Sequence, residues 1–260
     1  MYNILKSILT IVFLLSLTSC NKTKEEIYSY SPFPENGIPL NKVDFDNLII
    51  PEDQKANYKE ALKNSNRRLI GLMSSSIKGK FSNNFDPFSI KGNFMDDIEV
   101  DIAEHHIKGM DFNSNMVTYK HPNLKKLFGK EHVLKLTAKG KSQEYSAYIQ
   151  NYLQVTPLEQ ESEGFVRNPI MIWNPDLLNP VPYILLQYTI TEIYQQSVNE
   201  KVLENGVILL EDDGEFDLSH IFSDHKNVQI LCSFSRMQAF IHNDIAFHVK
   251  SSDHHQFYIP

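Results

Sequence analysis

The chain is poor in cysteine. Its 260 residues include only Cys20 and Cys232, too few for a framework of disulfides or for a zinc site built from thiolates. Cys232 lies on the apolar phase of an alternating run over residues 228–234. This position predicts a small side chain buried in a core rather than a reactive thiol.

Positive charge is scarce as well, with 25 Lys and Arg against 32 Asp and Glu and a formal net charge of −7. Proteins that bind nucleic acid carry clustered Lys and Arg. The short clusters in this chain, Arg67-Arg68 and Lys125-Lys126, are too small to form such a patch. The sequence therefore predicts no nucleic-acid partner.

The motifs of the common catalytic classes are missing. There is no Gly-x-Ser-x-Gly nucleophile elbow, no phosphate-binding glycine loop and no dinucleotide fingerprint. A Ser-x-x-Lys match from Ser75 to Lys78 has neither of its partner motifs, and we assign no catalytic residue. A motif search does not detect the two carboxylates of a glycoside hydrolase, because these residues have to be close in space and not in sequence.

A hydrophobic run long enough to span a membrane is also missing near the amino terminus. The apolar stretch at residues 8–17 has about half of the roughly 20 residues that a spanning helix needs. Lys6 precedes it, and the small residues Thr18 and Ser19 follow it. This arrangement is typical of a signal peptide, which we predict at residues 1–19.

The four residues Leu17-Thr18-Ser19-Cys20 resemble the bacterial lipobox, in which the Cys thiol receives a diacylglycerol and becomes the first residue of the mature chain. The resemblance implies that Cys20 carries a covalent diacylglycerol and an N-acyl lipid, with no other cofactor. Two or more acyl chains hold a protein stably on a bilayer. The lipid bilayer is therefore the first expected partner.

Two features after the lipobox concern which membrane this would be. Asn21 stands where inner-membrane lipoproteins of enteric bacteria carry Asp, and Lys24-Glu25-Glu26 resembles the acidic surface-export signal of Bacteroidota lipoproteins. The resemblances imply an outer-membrane lipoprotein that faces the periplasm or the cell surface. A solvated linker explains residues 24–26 equally well.

The rest of the sequence predicts a tether followed by a mainly β protein. Pro and Gly punctuate the first part, so residues 20–43 are the lipidated cysteine and its flexible tether. Apolar and polar residues then alternate, most clearly at 98–102, 134–138, 145–149 and 228–234. Alternation gives each strand one buried and one wet face, which is typical of antiparallel sheets.

Short strands separated by turn signals favour antiparallel β-sandwich modules. The acidic segment 156–169, which ends in Pro169, interrupts the pattern. We expect one β-sandwich-like domain at 44–155, a linker at 156–169 and a second β-sandwich-like domain at 170–260. A single larger β fold is the alternative.

Local signals add detail to this outline. Residues 44–50 are apolar enough for a short strand, and the Pro51-Glu52-Asp53 start predicts a short helix or loop after it. Asn205-Gly206 and Asn243-Asp244 are typical turn dipeptides. Asp217 is a candidate helix cap.

Ten histidines invite a metal interpretation, but the sequence predicts no metal site. His105-His106 end a strand, where adjacent side chains point to opposite faces and cannot chelate together, and a solvated turn is the favoured interpretation. His220, Asp224 and His225 could meet around one helical turn, yet they match no zinc motif. We expect His254-His255 to be exposed.

The acidic stretch Glu211-Asp212-Asp213-Gly214-Glu215 is a candidate for calcium, which takes six to eight oxygen ligands. Its spacing differs from that of an EF-hand loop. A solvated hairpin turn is therefore the favoured interpretation.

The most unusual stretch contains the only tryptophan, Trp173. Trp173, Asn174, Asp176 and Asn179 could form a ligand-binding loop with an aromatic platform, as in many carbohydrate binders. Asn and Asp near Pro also start turns, and a core tryptophan capped by a rigid turn is the favoured alternative. The stretch resembles Bacteroidota lipoproteins with β-sandwich domains, and no activity follows from that resemblance.

These features predict a membrane-anchored envelope or cell-surface lipoprotein. Its β modules would be a non-catalytic binding or assembly unit for a protein or glycan partner. The alternative is an envelope glycan-active hydrolase that uses Asp and Glu in a cleft. A deep pocket with two facing carboxylates would favour the hydrolase, and a filled core with flat exposed faces would favour the binding protein.

Overall fold

The computed structural model describes residues 34–62, 68–77, 88–92, 97–108, 117–158, 170–192, 201–222 and 225–259. The predicted signal peptide, Cys20, residues 21–33 of the tether and residues 159–169 of the predicted linker lie outside these ranges. The tether predicted at 20–43 is wrong for its last part, because Ile38–Pro39 form a strand paired with Ile208 and Leu209, and Leu40–Lys42 form a 3-10 helix. None of the described helices has the length and apolar composition of a membrane span. The described residues from Glu35 onwards belong to one compact unit.

Most of the described residues lie in strands, which confirms the mainly β fold class. Their fifteen strands form three sheets. The strands are β1 (Ile38–Pro39), β2 (Arg68–Ile77), β3 (Phe88–Gly92), β4 (Ile98–Ile102), β5 (His105–Lys108), β6 (Val117–Tyr119), β7 (Lys130–Ala138), β8 (Lys141–Ile149), β9 (Val155–Pro157), β10 (Ile170–Trp173), β11 (Tyr183–Glu192), β12 (Lys201–Glu211), β13 (Glu215–Asp217), β14 (Val228–His242) and β15 (Ile245–Ile259).

The helices of the described residues are short. They are α1 (Glu52–Leu62), α2 (Ser219–Phe222) and the 3-10 helices Leu40–Lys42, Phe45–Asn47 and Pro122–Leu127. Of the short helix or loop predicted after Pro51, the structure has the helix, α1. Its first turn holds Glu52 and Asp53, where carboxylates interact favourably with the helix dipole. Asp217 precedes α2 and accepts the Ser219 N–H at 2.8 Å.

The strand predicted at residues 44–50 is wrong. Phe45–Asn47 form a 3-10 helix because Asp44 accepts the Asp46 N–H at 3.1 Å and the Asn47 side-chain amide at 2.7 Å. An Asp side chain in this position offers the backbone an alternative to strand pairing.

Of the two predicted turns, one is confirmed and one is wrong. Asn243-Asp244 joins β14 to β15, with Asn243 at a φ of 53°. Gly206 lies inside β12 instead, opposite Tyr188 of β11. A Cβ at Gly206 would lie 2.5 Å from the Tyr188 ring, so this glycine makes room for an aromatic neighbour.

One large sheet organises the fold. Its eight strands follow the order β1-β12-β11-β14-β15-β2-β3-β6, and its pairs are antiparallel except for β15 with β2, which is parallel. The smaller sheets have the orders β13-β10-β9 and β5-β4-β7-β8 and are antiparallel. The antiparallel character expected from alternation is confirmed for every described pair except one.

Both smaller sheets pack on the same face of the large sheet. Along β15, Phe247 and Val249 belong to a core cluster with the four-stranded sheet, whereas Phe257 belongs to a cluster with the three-stranded sheet. Residues at even spacing on a strand share a face, so the two clusters lie side by side beneath one layer. Burial of these apolar surfaces stabilises the fold by about 25 cal/mol per Å².

The pairing of β15 with β2 bears on the predicted domain boundary. β2 lies in the first predicted domain and β15 in the second, yet they share ten paired positions. The segment 156–169 therefore does not separate two independent sheets, and the arrangement is that of a single larger β fold. Alternation indicates which residues of a strand are buried, but it does not indicate which strand lies beside it.

Candidate functional site

A pocket opens where β14 continues beyond its neighbour β11. The two strands pair only as far as Leu185 opposite Ser235, although β14 extends to His242. α1 and β8 flank the remaining length and leave a pocket of about 410 Å³, here called the edge pocket. It is lined by Asp53, Gln54, Asn57 and Tyr58 of α1, residues 144–148 of β8, Pro180, Val181, and residues 238–240 of β14.

The walls of the edge pocket combine aromatic rings with acidic and amide groups. Tyr145 and Phe240 pack with their ring centroids 5.6 Å apart. Asp53 and Glu144 supply carboxylates, and both residues are exposed. None of the described lining residues is Lys, Arg or His, so the pocket carries negative charge and offers hydrogen-bond acceptors.

The tyrosines of the edge pocket are held by hydrogen bonds. The Tyr145 hydroxyl donates to the Ile241 carbonyl at 2.5 Å, and the Tyr148 hydroxyl donates to Asp176 Oδ1 at 2.8 Å. Burial raises the pKa of Tyr145 and of Tyr148, and the bond to Asp176 raises the Tyr148 pKa further. Both phenols therefore stay protonated at neutral pH and form fixed walls.

Behind the edge pocket lies a buried polar seam, formed by Gln150, Asp176, Asp212, Arg236 and Gln238 between the two core clusters. Gln238 links the two features, because its Nε2 donates to the Tyr148 carbonyl at 3.1 Å while its Oε1 accepts the Gln150 N–H at 3.2 Å. Each of these bonds satisfies a polar group that water does not reach. The pocket floor is thereby tied to the centre of the molecule.

The strongest contact of the polar seam is a two-pronged ion pair. Arg236 Nε donates to Asp212 Oδ2 at 2.6 Å and Arg236 Nη2 to Asp212 Oδ1 at 2.8 Å, and both side chains are 1% exposed. Trp173 Nε1 also donates to Asp212 Oδ1, at 2.8 Å. The solvated turn predicted at 211–215 is therefore wrong for Asp212, although Asp213 and Glu215 are exposed.

The residues predicted as a ligand-binding loop are held mainly inside the molecule. Trp173 is buried with its ring 5.8 Å from that of Phe234, Asp176 accepts the Asn151 N–H at 2.6 Å, and Asn179 accepts the Val181 N–H at 3.1 Å. The side chain of Asn174 is exposed, and its carbonyl accepts a bond from Arg236. A core tryptophan capped by a rigid turn describes this arrangement, and an aromatic platform open to solvent does not.

The loop still contributes to the candidate site, through residues that the sequence did not single out. Pro180 and Val181, which follow Asn179, form part of the edge pocket wall. The buried bonds of Asp176 and Asn179 fix the position of this wall. Between them, Leu177 and Leu178 are 89% and 74% exposed at the loop tip.

The histidines follow the predictions in part. On β5, His105 is buried and His106 exposed, as expected for neighbours on a strand, so the solvated turn predicted here is wrong for His105. His225 Nε2 lies 3.3 Å from Glu204 Oε2, and Asp224 lies outside the described residues. The exposure predicted for His255 is wrong, since β15 buries it with its Nε2 3.5 Å from Asp253 Oδ2.

A cluster that the sequence did not predict could hold a metal ion. Among the described residues, Glu104, His105 and His121 each offer one ligand atom, and these atoms lie within 4.8 Å of one another. The cluster shares no residue with the edge pocket lining. Its members match no ligand-spacing rule, because they meet only through the fold.

The residues of the edge pocket carried no recognisable signal either. Gln54 and Asn57 are half-buried polar residues of a short helix, and Glu144 to Tyr148 belong to the hairpin of β7 and β8. Neither a scan against protein-family models nor a search of curated proteins gave a match to this chain. The chemistry of the site is therefore the basis for assigning a function.

Proposed function

We propose that the chain is a membrane-anchored, non-catalytic binding protein of the bacterial envelope whose edge pocket takes a small glycan. The edge pocket between α1, β8 and β14 is the observation that carries this proposal. The signal-like segment and the lipobox at residues 1–20 support the anchoring. An acidic chain without a basic patch supports a partner other than nucleic acid.

The size and lining of the edge pocket suit a mono- or disaccharide. Small-molecule sites usually measure about 300–1,000 Å³ and combine apolar walls with a few polar groups, and this pocket of about 410 Å³ lies within that range. Tyr145 and Phe240 supply apolar ring surface, while Asn57 and Glu144 can bond sugar hydroxyls. The negative charge disfavours phosphates and carboxylates, so the ligand is a neutral or amino sugar.

Two carboxylates in one pocket also favour a second candidate, a glycan hydrolase that uses Asp53 and Glu144. Such enzymes keep one carboxyl protonated by placing it in an apolar environment. Asp53 and Glu144 are both exposed to water instead. Binding without hydrolysis is therefore the function that the geometry supports better.

The binding proposal predicts saturable binding of a sugar at the edge pocket. The purified full-length chain is titrated calorimetrically with glucose, galactose, mannose, their N-acetylated 2-amino forms and disaccharides of each. We expect at least one to bind, and we expect Asn57→Ala and Glu144→Gln to weaken it by about tenfold, as the loss of one or two hydrogen bonds would. Glu131→Gln is the control, since Glu131 is exposed on neighbouring β7 and is not part of the lining.

Two results would contradict the binding proposal. The first is that no sugar of the panel binds, or that Glu131→Gln weakens binding as much as Glu144→Gln. The second is turnover of nitrophenyl glycosides that Asp53→Asn and Glu144→Gln both abolish. Turnover of that kind would replace the binding protein by the hydrolase.

The anchoring proposal is tested separately at Cys20. Cells expressing the chain are fed a fatty acid that carries an alkyne, and the protein is captured and probed for the label. We expect label on the parent and on Cys232→Ala, and none on Cys20→Ala, because Cys20 and Cys232 are the only cysteines of the chain. Equal labelling of Cys20→Ala and the parent would remove the anchor from the proposal without affecting the pocket.

A further inference from the structure

The cluster of Glu104, His105 and His121 lies where the edges of two sheets approach each other. Glu104 follows β4 in the turn before β5, and β5 is an edge strand of the four-stranded sheet. His121 follows β6, an edge strand of the eight-stranded sheet, and precedes the 3-10 helix Pro122–Leu127. The cluster therefore joins segments that belong to different layers of the fold.

Each of the three side chains has a hydrogen-bond partner outside the cluster, as metal ligands commonly have. His105 is buried, and its Nδ1 lies 3.2 Å from the Tyr119 hydroxyl. If Nδ1 donates to that hydroxyl, Nε2 keeps its lone pair for an ion. Glu104 Oε1 accepts the Asn123 side-chain amide at 2.6 Å, which orients the carboxylate.

The imidazole rings of His105 and His121 meet edge to face, with 69° between their planes, at a distance that suits a shared ion. The ring centroids of His105 and His121 are 5.0 Å apart. An imidazole binds a metal through the lone pair of its neutral form.

We propose that Glu104, His105 and His121 bind one zinc-type divalent transition ion and thereby bridge the edges of the two sheets. Two imidazoles and one carboxylate form a set that zinc accepts, with its fourth position left for water or an outside ligand. Calcium is excluded by the same set, because it needs six to eight oxygens.

Metal binding has a structural consequence at His121. In the metal-free chain His121 Nδ1 accepts the Asn123 backbone N–H at 3.2 Å and caps the 3-10 helix. A neutral imidazole has a single lone pair, since its other nitrogen carries a proton. Coordination through either nitrogen therefore excludes this capping bond, and the ion must release the Asn123 N–H.

The experiment uses the full-length chain without a polyhistidine tag, freed of metal with a chelator and titrated with zinc chloride at pH 7.5. We expect one zinc per chain in calorimetry and a visible absorption band typical of low coordination number when cobalt replaces zinc. Glu104→Gln and His121→Ala should each weaken zinc binding at least about tenfold. His106→Ala is the matched control, because His106 lies on the same strand and is exposed on the other face.

A second readout follows the Asn123 amide by NMR during the same titration. Its resonance should shift as zinc saturates the parent and should stay in place with calcium. Circular dichroism of each variant checks that loss of binding is not loss of fold, and Glu104→Gln changes only an exposed side chain. The proposal is overturned if zinc does not bind one to one, if His106→Ala loses as much affinity as His121→Ala, or if the Asn123 resonance does not move at saturation.

Discussion

Arg236 and Asp212 are the residues whose removal should affect stability most. Each side chain is 1% exposed, and each would be a lone charge in the interior without the other. A buried ion pair gains little over an apolar pair, but a buried charge without its partner is strongly unfavourable. Trp173 Nε1 depends on the same carboxylate, so a change at Asp212 also leaves an indole N–H without its acceptor.

We expect Arg236→Met and Asp212→Ala each to lower the free energy of unfolding by about 3–5 kcal/mol. Urea unfolding followed by tryptophan fluorescence measures this change, since Trp173 lies in the same network. Lys201→Met is the control, because Lys201 and Glu192 form a solvent-exposed pair at 4.0 Å. Exposed pairs contribute at most about 1 kcal/mol, and a loss at Arg236 no larger than this would contradict the role assigned to the ion pair.

Sequence patterns predicted individual residues well where the cause was local. The burial of Cys232, the opposite faces of His105 and His106 and the turn at Asn243 all follow from neighbours in the chain. The acidic residues that flank Asp212 predict a solvated turn, which is wrong for Asp212. Its burial depends on Arg236, 24 positions away, and no local pattern contains that partner.

At the scale of elements, alternation predicted the central strands and their buried faces. The hairpin of β7 and β8 and the burial of Ile98, Val100 and Ile102 on β4 match the period of two. The predictions of a strand at 44–50 and of a turn at Asn205-Gly206 are wrong because of interactions of single residues. Asp44 capped a 3-10 helix in place of a strand, and Gly206 gave space to Tyr188 in place of a turn.

The candidate sites could not be predicted from elements alone. The edge pocket exists because β14 extends several residues beyond its last pair with β11. α1 lines only one side of the space that is left beside β14. Strand lengths of this kind follow from pairing, which the sequence does not state. The cluster at Glu104 and His121 needs β5 and β6 to be edges of different sheets, and that is again a property of the assembled fold.

For the whole molecule, several buried or half-buried histidines make stability depend on pH. Burial is the main cause that lowers the pKa of His105, His248 and His254 below the usual value of 6.5. In the unfolded chain these groups take up protons as the pH falls through about 6.5, while in the folded protein their lowered pKa values delay protonation to lower pH. Acid therefore favours the unfolded state in this range.

We expect the free energy of unfolding to fall between pH 8 and pH 5.5, by at most about 1.4 kcal/mol per pH unit for each of these histidines. Urea midpoints across this range measure the slope, and the range stays above the usual titration of carboxyl groups. His254→Gln should make the dependence shallower, because one titrating group is removed. A stability that is constant or rises towards pH 5.5 would contradict the assignment.

The parallel pairing of β15 with β2 sets the order in which this protein can be assembled. Ser74 and Ser251 are bonded in the folded chain although 177 residues separate them. β2, β3 and β6 leave the ribosome long before β15, yet they can join the large sheet only through it. Contacts between segments so remote in the sequence slow folding. Until β15 is available, the earlier strands expose unpaired edges that are prone to aggregation. The incorporation of β2, β3 and β6 into the large sheet is therefore a late step in the folding of this chain.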